Sequence, residues 1–381
     1  MNSRIYLDYC ATTPVHPDVR EQMLRALDVN FGNPSSVHWA GTESKQLIDQ
    51  ARIDVAKGIG CLPEEITFTS GATEADNLAL FGILRLFPPN QAHLITSSIE
   101  HHAILHAAQR LERDGYSVTY LPVDEHGLVN PEDVRRAIRP ETKLISIMYV
   151  NNEVGSIQPI REIGKIAREH HVRFHTDAVQ AIGLFNIDVV DLNVDLLSLS
   201  AHKIYGPKGI GVLFVRAGTE LTPMIVGGSQ EHLLRAGTEN VPGIAGLGAA
   251  MNLVRQHRAE ERVRIMELRK SLIDRLRAHV AEVIVNGLEE ATAPHILSIS
   301  FLGADAEMML IRLNGEGIAV SLGSACNSKS IEPSHVLTAM KLPQEQIEST
   351  LRFSLGMPTT KDEIDVLLEV ITRVLPRVTV Q

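Results

Sequence analysis

"VRFHTDAVQAIGLFNIDVVDLNVDLLSLSAHKIYGPKGIGVLFV", residues 172–215, holds three short apolar runs, "VRFHTDA", "DLLSLS" and "GVLFV", that read as β-strands. Two of them end in polar residues. Asp177 lies at the end of the first, and Ser200, His202 and Lys203 follow the second, ahead of a glycine-rich turn. Upstream the pattern repeats: "EITFTS", "AHLITSS", "YSVTYL" and "KLISIMYV" read as strands, with helical patterns such as "EADNLALFGILRLF", "EHHAILHAAQRLERDG" and "REIGKIAREHH" between several of them. Nearly continuous apolar strands alternating with helices predict a mostly parallel sheet covered on both faces. Ligands of such sheets bind beyond the carboxyl ends of the strands.

After about residue 255 the texture changes to a long charged helix, "EERVRIMELRKSLIDRLRAHV", followed by "EVIVNG", "ILSISF", "EMMLIRLNGEG", "LRFSLG" and a closing helix "KDEIDVLLEVITRVL". That predicts a smaller α+β unit. At about 150 residues per domain, a chain of 381 residues makes two domains. The division expected is a large domain over 15–255 and a small one built from 1–14 and 256–381. A composition of 44% hydrophobic and 22% charged residues is globular, and a formal charge of −10 argues against a polyanion such as nucleic acid as direct partner. No apolar run is long enough to span a bilayer and "MNSRIYLDYCATTP" lacks the pattern of a signal peptide, so a cytoplasmic location is expected. The three cysteines, Cys10, Cys61 and Cys326, lack CxxC spacing, which argues against a disulfide framework and a structural zinc site.

Four features collect at the strand ends. "TFTSGATEADN" places Gly71, Ala72 and Thr73 between a strand and a helix, so that backbone N–H groups can face an anion. Asp177 ends an apolar strand, where a carboxylate calls for a cationic partner. Lys203 sits where an amine can be desolvated and become a Schiff-base nucleophile. His101 opens a helix directly after a strand, placed to stack on a ring or move protons. His102 and His106 share a helix face, but no third ligand accompanies them and no metal is expected. Each feature alone has an ordinary structural explanation. Together, an anion-binding turn, a carboxylate, an amine and an imidazole describe a pocket for pyridoxal 5'-phosphate, which needs those groups for its phosphate, pyridinium nitrogen and aldehyde.

In "YLDYCATTP", "FGNPSSVHWAG", "FTSGATEADN", "EHHAIL", "VNNEVGSIQP", "HTDAVQAIG", "SAHKIYGPKGIG", "RAGTENVP", "GSACNSKSIEPSHVL" and "LRFSLG" the chain resembles the cysteine desulfurases, a branch of the class V aminotransferase group, over essentially its whole length. The resemblance implies the α/β fold of PLP-dependent transferases: a large cofactor-binding domain on a mostly parallel seven-stranded sheet, and a small domain carrying a long catalytic loop. It implies that Lys203 joins the cofactor, Asp177 pairs with the pyridinium nitrogen and His101 stacks on the ring. Ala72, Thr73, Ser200 and His202 would hold the phosphate, and Asn152 and Gln180 the ring oxygen. Thr238 would reach the phosphate of a neighbouring subunit, making a homodimer. Asn33 and Arg352 would bind the carboxylate of L-cysteine.

Cys326, in the polar loop "SLGSACNSKS" (321–330), stands where that family has its sulfur acceptor. The implied reaction yields L-alanine and a Cys326 persulfide for an acceptor protein: an iron–sulfur scaffold, a tRNA thiolation enzyme or a DNA phosphorothioation component. Small polar residues and Gly323 suit a mobile arm, which predicts a poorly ordered loop with Cys326 away from Lys203. A C–S β-lyase or selenocysteine lyase would have no use for this cysteine, and the retained Lys203, Asp177, His101 and Arg352 oppose a non-catalytic sulfur relay. "VGGSQEHLLRAGT" departs from many relatives at Ser229, His232 and Leu233, where glycine, arginine and glycine are common. Cys10 replaces a small polar residue and Cys61 reads as a core thiol.

Overall fold

The computed structural model describes residues 4–322 and 333–377. After β1 (Ile5–Tyr6), strands β2 (Ile66–Thr69), β3 (His93–Ser97), β4 (Ser117–Leu121), β5 (Thr142–Ser146), β6 (Arg173–Asp177), β7 (Leu196–Ser200) and β8 (Gly211–Val215) form one seven-stranded sheet in the order β2-β8-β7-β6-β5-β3-β4. Only β8 runs against its neighbours, so β2 through β7 all point the same way. The central strands β6 and β7 are buried almost throughout because their side chains meet a covered face on either side. The α/β class and the mostly parallel sheet are those expected.

Helices α1 (Pro17–Asp28), α2 (Trp39–Ile59), α3 (Ala72–Leu84), α4 (His102–Arg113), α5 (Pro131–Ala137) and α6 (Ile160–Glu169) surround the strands. Strand β5 ends at Ser146, short of the expected "KLISIMYV". Beyond it the chain turns at Asn151, whose side-chain Oδ1 accepts the N–H groups of Glu153 and Val154, each at 2.9 Å.

The long helix differs from its expected start. It begins at Val241 rather than near residue 260 and runs unbroken to His279 as α7. Its first half, "VPGIAGLGAAMNLV", is too small and apolar to show a charged face. Those small residues are a packing device: a Cβ on Gly248 would lie 2.7 Å from Ala51 Cα, so α7 and α2 approach closely only without it. The Asn240 side chain caps the start by accepting from Gly243 N at 3.1 Å. Residue 255, the expected division, falls within this helix. Val254 belongs to the core around the large sheet, and Ile265 and Leu272 to a second core.

That second core also holds Ile5, Leu7, Phe301 and Phe353. It packs on a three-stranded antiparallel sheet of β9 (Val283–Val285), β10 (Ile296–Phe301) and β12 (Thr350–Ser354), with β11 (Ile318–Ala319) paired to β1. Helices α8 (Ala306–Gly315) and α11 (Lys361–Val374) complete it, whereas α9 (His335–Ala339) and α10 (Gln344–Glu348) turn Val336, Leu337 and Ile347 toward the first core. Among the described residues no helix is long and apolar enough to cross a membrane.

Candidate active site

The carboxyl ends of the parallel strands open into a cavity of about 640 Å³. Of the residues singled out in the sequence, Ala72, Thr73, His101, Asn152, Asp177, Gln180, Ser200, His202, Lys203 and Arg352 line it. Asn33 and Thr238 do not; both are exposed, and Asn33 Oδ1 accepts from Ser35 N at 2.9 Å. Cys326 and the rest of its loop from residue 323 onward, with the expectation about their order, lie outside the described residues.

Lys203 closes a single 3-10 turn directly after β7. The turn is pinned because Thr13 N donates to His202 O at 2.9 Å and Thr13 Oγ1 accepts from Tyr205 N at 2.8 Å. The Lys203 amine donates to Ala11 O at 3.0 Å and to Cys10 O. Burial lowers its pKa from 10.5 to about 8, with the Arg352 charge acting the same way and Cys10 and Asp177 opposing it. Asp177 ends the neighbouring strand, and burial raises it to about 6 against the opposing effects of the Val179 N–H, which donates to Oδ1 at 2.9 Å, and of Lys203. An amine that releases its proton readily thus shares a cavity with a buried carboxylate that favours a cation.

Gly71, at φ 155° and ψ 176°, has a backbone conformation that side-chain-bearing residues rarely adopt, and opens α3 toward the cavity. The N–H groups of Ala72 and Thr73, in the first turn, have no partners within the helix. Glycine also serves from behind: a Cβ on Gly211 would lie 2.6 Å from the Gly71 carbonyl carbon. His202 contributes a neutral ring, since burial lowers its pKa to about 4, with Nδ1 3.2 Å from Thr12 Oγ1.

His101 caps α4, its Nδ1 accepting from Ala103 N at 3.1 Å. Burial, then Lys203, lowers its pKa to about 4, and Nδ1 as acceptor leaves the ring proton on Nε2. His102 stacks on His106 at 4.9 Å between ring centroids and meets His335 at 4.8 Å. Among the described residues no group of three or more His, Cys, Asp or Glu side chains is arranged to hold a metal ion.

Arg352 is buried on β12, donating to Asp8 Oδ1 at 2.8 Å and to Asn152 O at 2.9 Å. Gln180 Nε2 donates to Cys10 O at 3.0 Å. Burial pushes the Cys10 thiol up, which makes it a poor nucleophile despite its place in the cavity wall.

A match to the aminotransferase class-V family model spans residues 5–367. The chain is 46% identical over 377 residues to the cysteine desulfurase IscS of Dictyoglomus turgidum, covering 99% of this chain and 96% of that one. It belongs to the cysteine desulfurases. The desulfurase superposes on a solved NifS-like protein with a TM-score of 0.93 at 36% identity, covering 99% of this chain and 100% of the other. It superposes on SspA in complex with cysteine with a TM-score of 0.83 at 41% identity, covering 93% and 99%. Like its family, the desulfurase depends on pyridoxal 5'-phosphate, and the glycine-opened helix start, buried carboxylate and desolvated amine of this cavity fit that cofactor.

Three buried groups that sequence reading missed lie in or behind the wall of the desulfurase cavity, Asp76 lining it and His175 and Glu100 behind it. Asp76, one turn into α3, is 1% exposed, lies 3.7 Å from His175 Nε2, and is held well above the usual carboxylate range by burial and by Asp177. His175 sits two residues before Asp177 on β6, its ring nitrogens each 2.9 Å from Ser146 Oγ and Ser198 Oγ, and burial lowers its pKa to about 3. Glu100, beneath His101, is fully buried, and burial raises it to about 8. The available signal was the alternation of β6, which puts His175 on the same face as Asp177.

The segment departing from relatives is also unusual in backbone. Glu231, His232 and Leu233 have φ of 43°, 57° and 67°, and three such residues in a row cost about 1–2 kcal/mol each. Glu231 anchors them: its carboxylate meets Arg52 at 2.6 and 2.9 Å and accepts from Phe68 N at 2.8 Å.

Proposed function

We propose that this cysteine desulfurase works with the residue roles and assembly that follow, and the reading rests on one observation above all: Asp177, at the end of β6, and Lys203, in the turn that follows the adjacent strand β7, share one cavity with the Gly71–Thr73 turn. The cofactor, when bound, supplies an aldehyde and an electron-withdrawing ring. Lys203 would hold it covalently, Asp177 would face its ring nitrogen, and His101 would lie against its ring. The N–H groups of Ala72 and Thr73, with Ser200 and His202, would take its phosphate, and Asn152 and Gln180 its ring oxygen.

Arg352 would orient L-cysteine by its carboxylate, with Asn33 as a further ligand. A guanidinium already held by Asp8 and Asn152 O is preorganised for that task. Lys203, whose pKa of about 8 leaves a substantial neutral fraction near neutral pH, can accept a proton at Nζ. His101 can donate one from Nε2. Cys326 then attacks the substrate sulfur, so that the new S–S bond forms as the C–S bond breaks. The net change converts L-cysteine and the Cys326 thiol to L-alanine and a Cys326 persulfide, with no external oxidant.

The same reading assigns 15–255 to a cofactor-binding domain and 1–14 with 256–381 to a small domain carrying the loop. It takes the enzyme as a cytoplasmic homodimer in which Thr238 serves the neighbouring cofactor site. The persulfide passes to an acceptor protein, and likeness to IscS favours an iron–sulfur scaffold. The test is Cys326→Ser. Alanine formation from cysteine is expected to stop while the cofactor absorption band persists; continued turnover would overturn the role of Cys326, and absence of the band in wild-type protein would overturn the cofactor site.

A further inference from the structure

A second, smaller cavity of about 50 Å³ shares Lys203, Val179 and Gln180 as wall with the active-site cavity. It sits at the seam of the two cores, where α7 passes from one to the other: Val254 belongs to the first, Ile265 and Leu355 to the second. Much of its wall is apolar. Among its polar residues is Arg258, 7% exposed and one turn along α7 from Val254.

Arg258 is buried without a counter-charge among the described residues. Its Nη1 donates to Asn186 Oδ1 at 3.3 Å, but Nε and Nη2 are buried with no hydrogen-bond partner among the described residues. The acid in the same wall, Glu261, is committed to Arg264 at 3.0 and 2.8 Å. His295 adds a buried Nδ1 that has no partner among the described residues. Burying an unpaired guanidinium costs several kcal/mol, and burial correspondingly lowers the pKa of Arg258. Water could fill the space but would leave the charge unbalanced.

The unpartnered atoms also define a shape. Nε and Nη2 form the edge of the guanidinium whose two parallel N–H bonds match the oxygens of a planar carboxylate. The space is that of about four water molecules, and Leu184, Val254 and Ile265 favour an alkyl tail over further oxygens. We propose that this cavity binds a short-chain monocarboxylate, of acetate to propionate size, on the Nε–Nη2 edge of Arg258, at a site separate from Arg352.

The holoenzyme can be melted in increasing sodium acetate, with sodium chloride holding ionic strength constant. A saturable rise in Tm of about 3 °C at a hundred times Kd is expected. It should vanish in Arg258→Met and persist in Arg352→Lys. No saturable rise, a rise that survives Arg258→Met, or one lost in Arg352→Lys overturns the proposal. Wild-type holoenzyme crystals grown in acetate decide the matter should a variant not fold: a carboxylate about 2.7–2.9 Å from Nε and Nη2 supports the site, and water alone on that edge refutes it.

Discussion

Lys203 is expected to destabilise the apoenzyme it serves. Its pKa falls from 10.5 to about 8 on folding, chiefly through burial. At about 1.4 kcal/mol per pH unit, that gap corresponds to roughly 3 kcal/mol of lost stability. The sign follows from the direction. Below pH 8 both folded and unfolded chains carry the protonated amine, and the folded one bears the full cost of burying it. Between pH 8 and 10.5 the folded chain releases its proton first, so the cost fades. Lys203→Met removes this dependence, while the carbonyls of Cys10 and Ala11 lose their donor at every pH. Urea unfolding of both apoenzymes at pH 7 and pH 10.5 isolates the ionisation: the variant's stability relative to wild type should fall by up to about 3 kcal/mol between the two pH values. A relative stability that does not change with pH, or that rises, would refute the depressed pKa. The same shift leaves about a fifth of the amine neutral at pH 7.4, against about a thousandth for an ordinary lysine.

Glu231→Ala should cost about 3–5 kcal/mol in urea unfolding at pH 7, because it strands the largely buried Arg52 and the Phe68 N–H; a loss below about 1 kcal/mol would mean that the pair does not hold the left-handed turn. Glu100→Gln should gain stability relative to wild type as pH rises from about 4.5 to about 8. Over that window the unfolded wild-type chain loses the proton that burial makes folded Glu100 keep. Urea midpoints and slopes at pH 5 and pH 8 check this, and a relative stability that stays flat or falls between them contradicts the protonated carboxyl.

The sheet was legible because its strands are apolar on both faces, so each stands out from its neighbours without reference to the others. Lys203 and Asp177 were legible for the same reason: a charge at the edge of an apolar run is conspicuous. Asp76, Glu100 and Arg258 were not. Each lies among polar neighbours, in "GATEADN", "SSIEHH" and "HRAEERV", where a charge reads as a solvated face. Only the packing of α3 on the strands, the folding of the β3–α4 connection against the chain beyond β5, where Glu100 accepts from Met148 N, or the passage of α7 between the two cores puts these charges out of water. The first half of α7 was hidden differently, since glycine and alanine mark a close helix contact only once the partner helix is in place.

The groups buried at this centre share an electrical condition. Lys203 is pushed toward its neutral form, Asp177 and Glu100 toward theirs, and Arg258 keeps its charge with an unpartnered edge. A fold selected for stability alone would replace such groups with apolar ones of similar volume. Their presence in and beside the two cavities is intelligible if ligands complete the electrostatics: a ring nitrogen that carries a proton for Asp177, a carbonyl carbon for Lys203, a carboxylate for Arg258. On that reasoning cofactor binding should stabilise the chain beyond the contacts it adds, because it relieves ionisation costs already present in the apoenzyme.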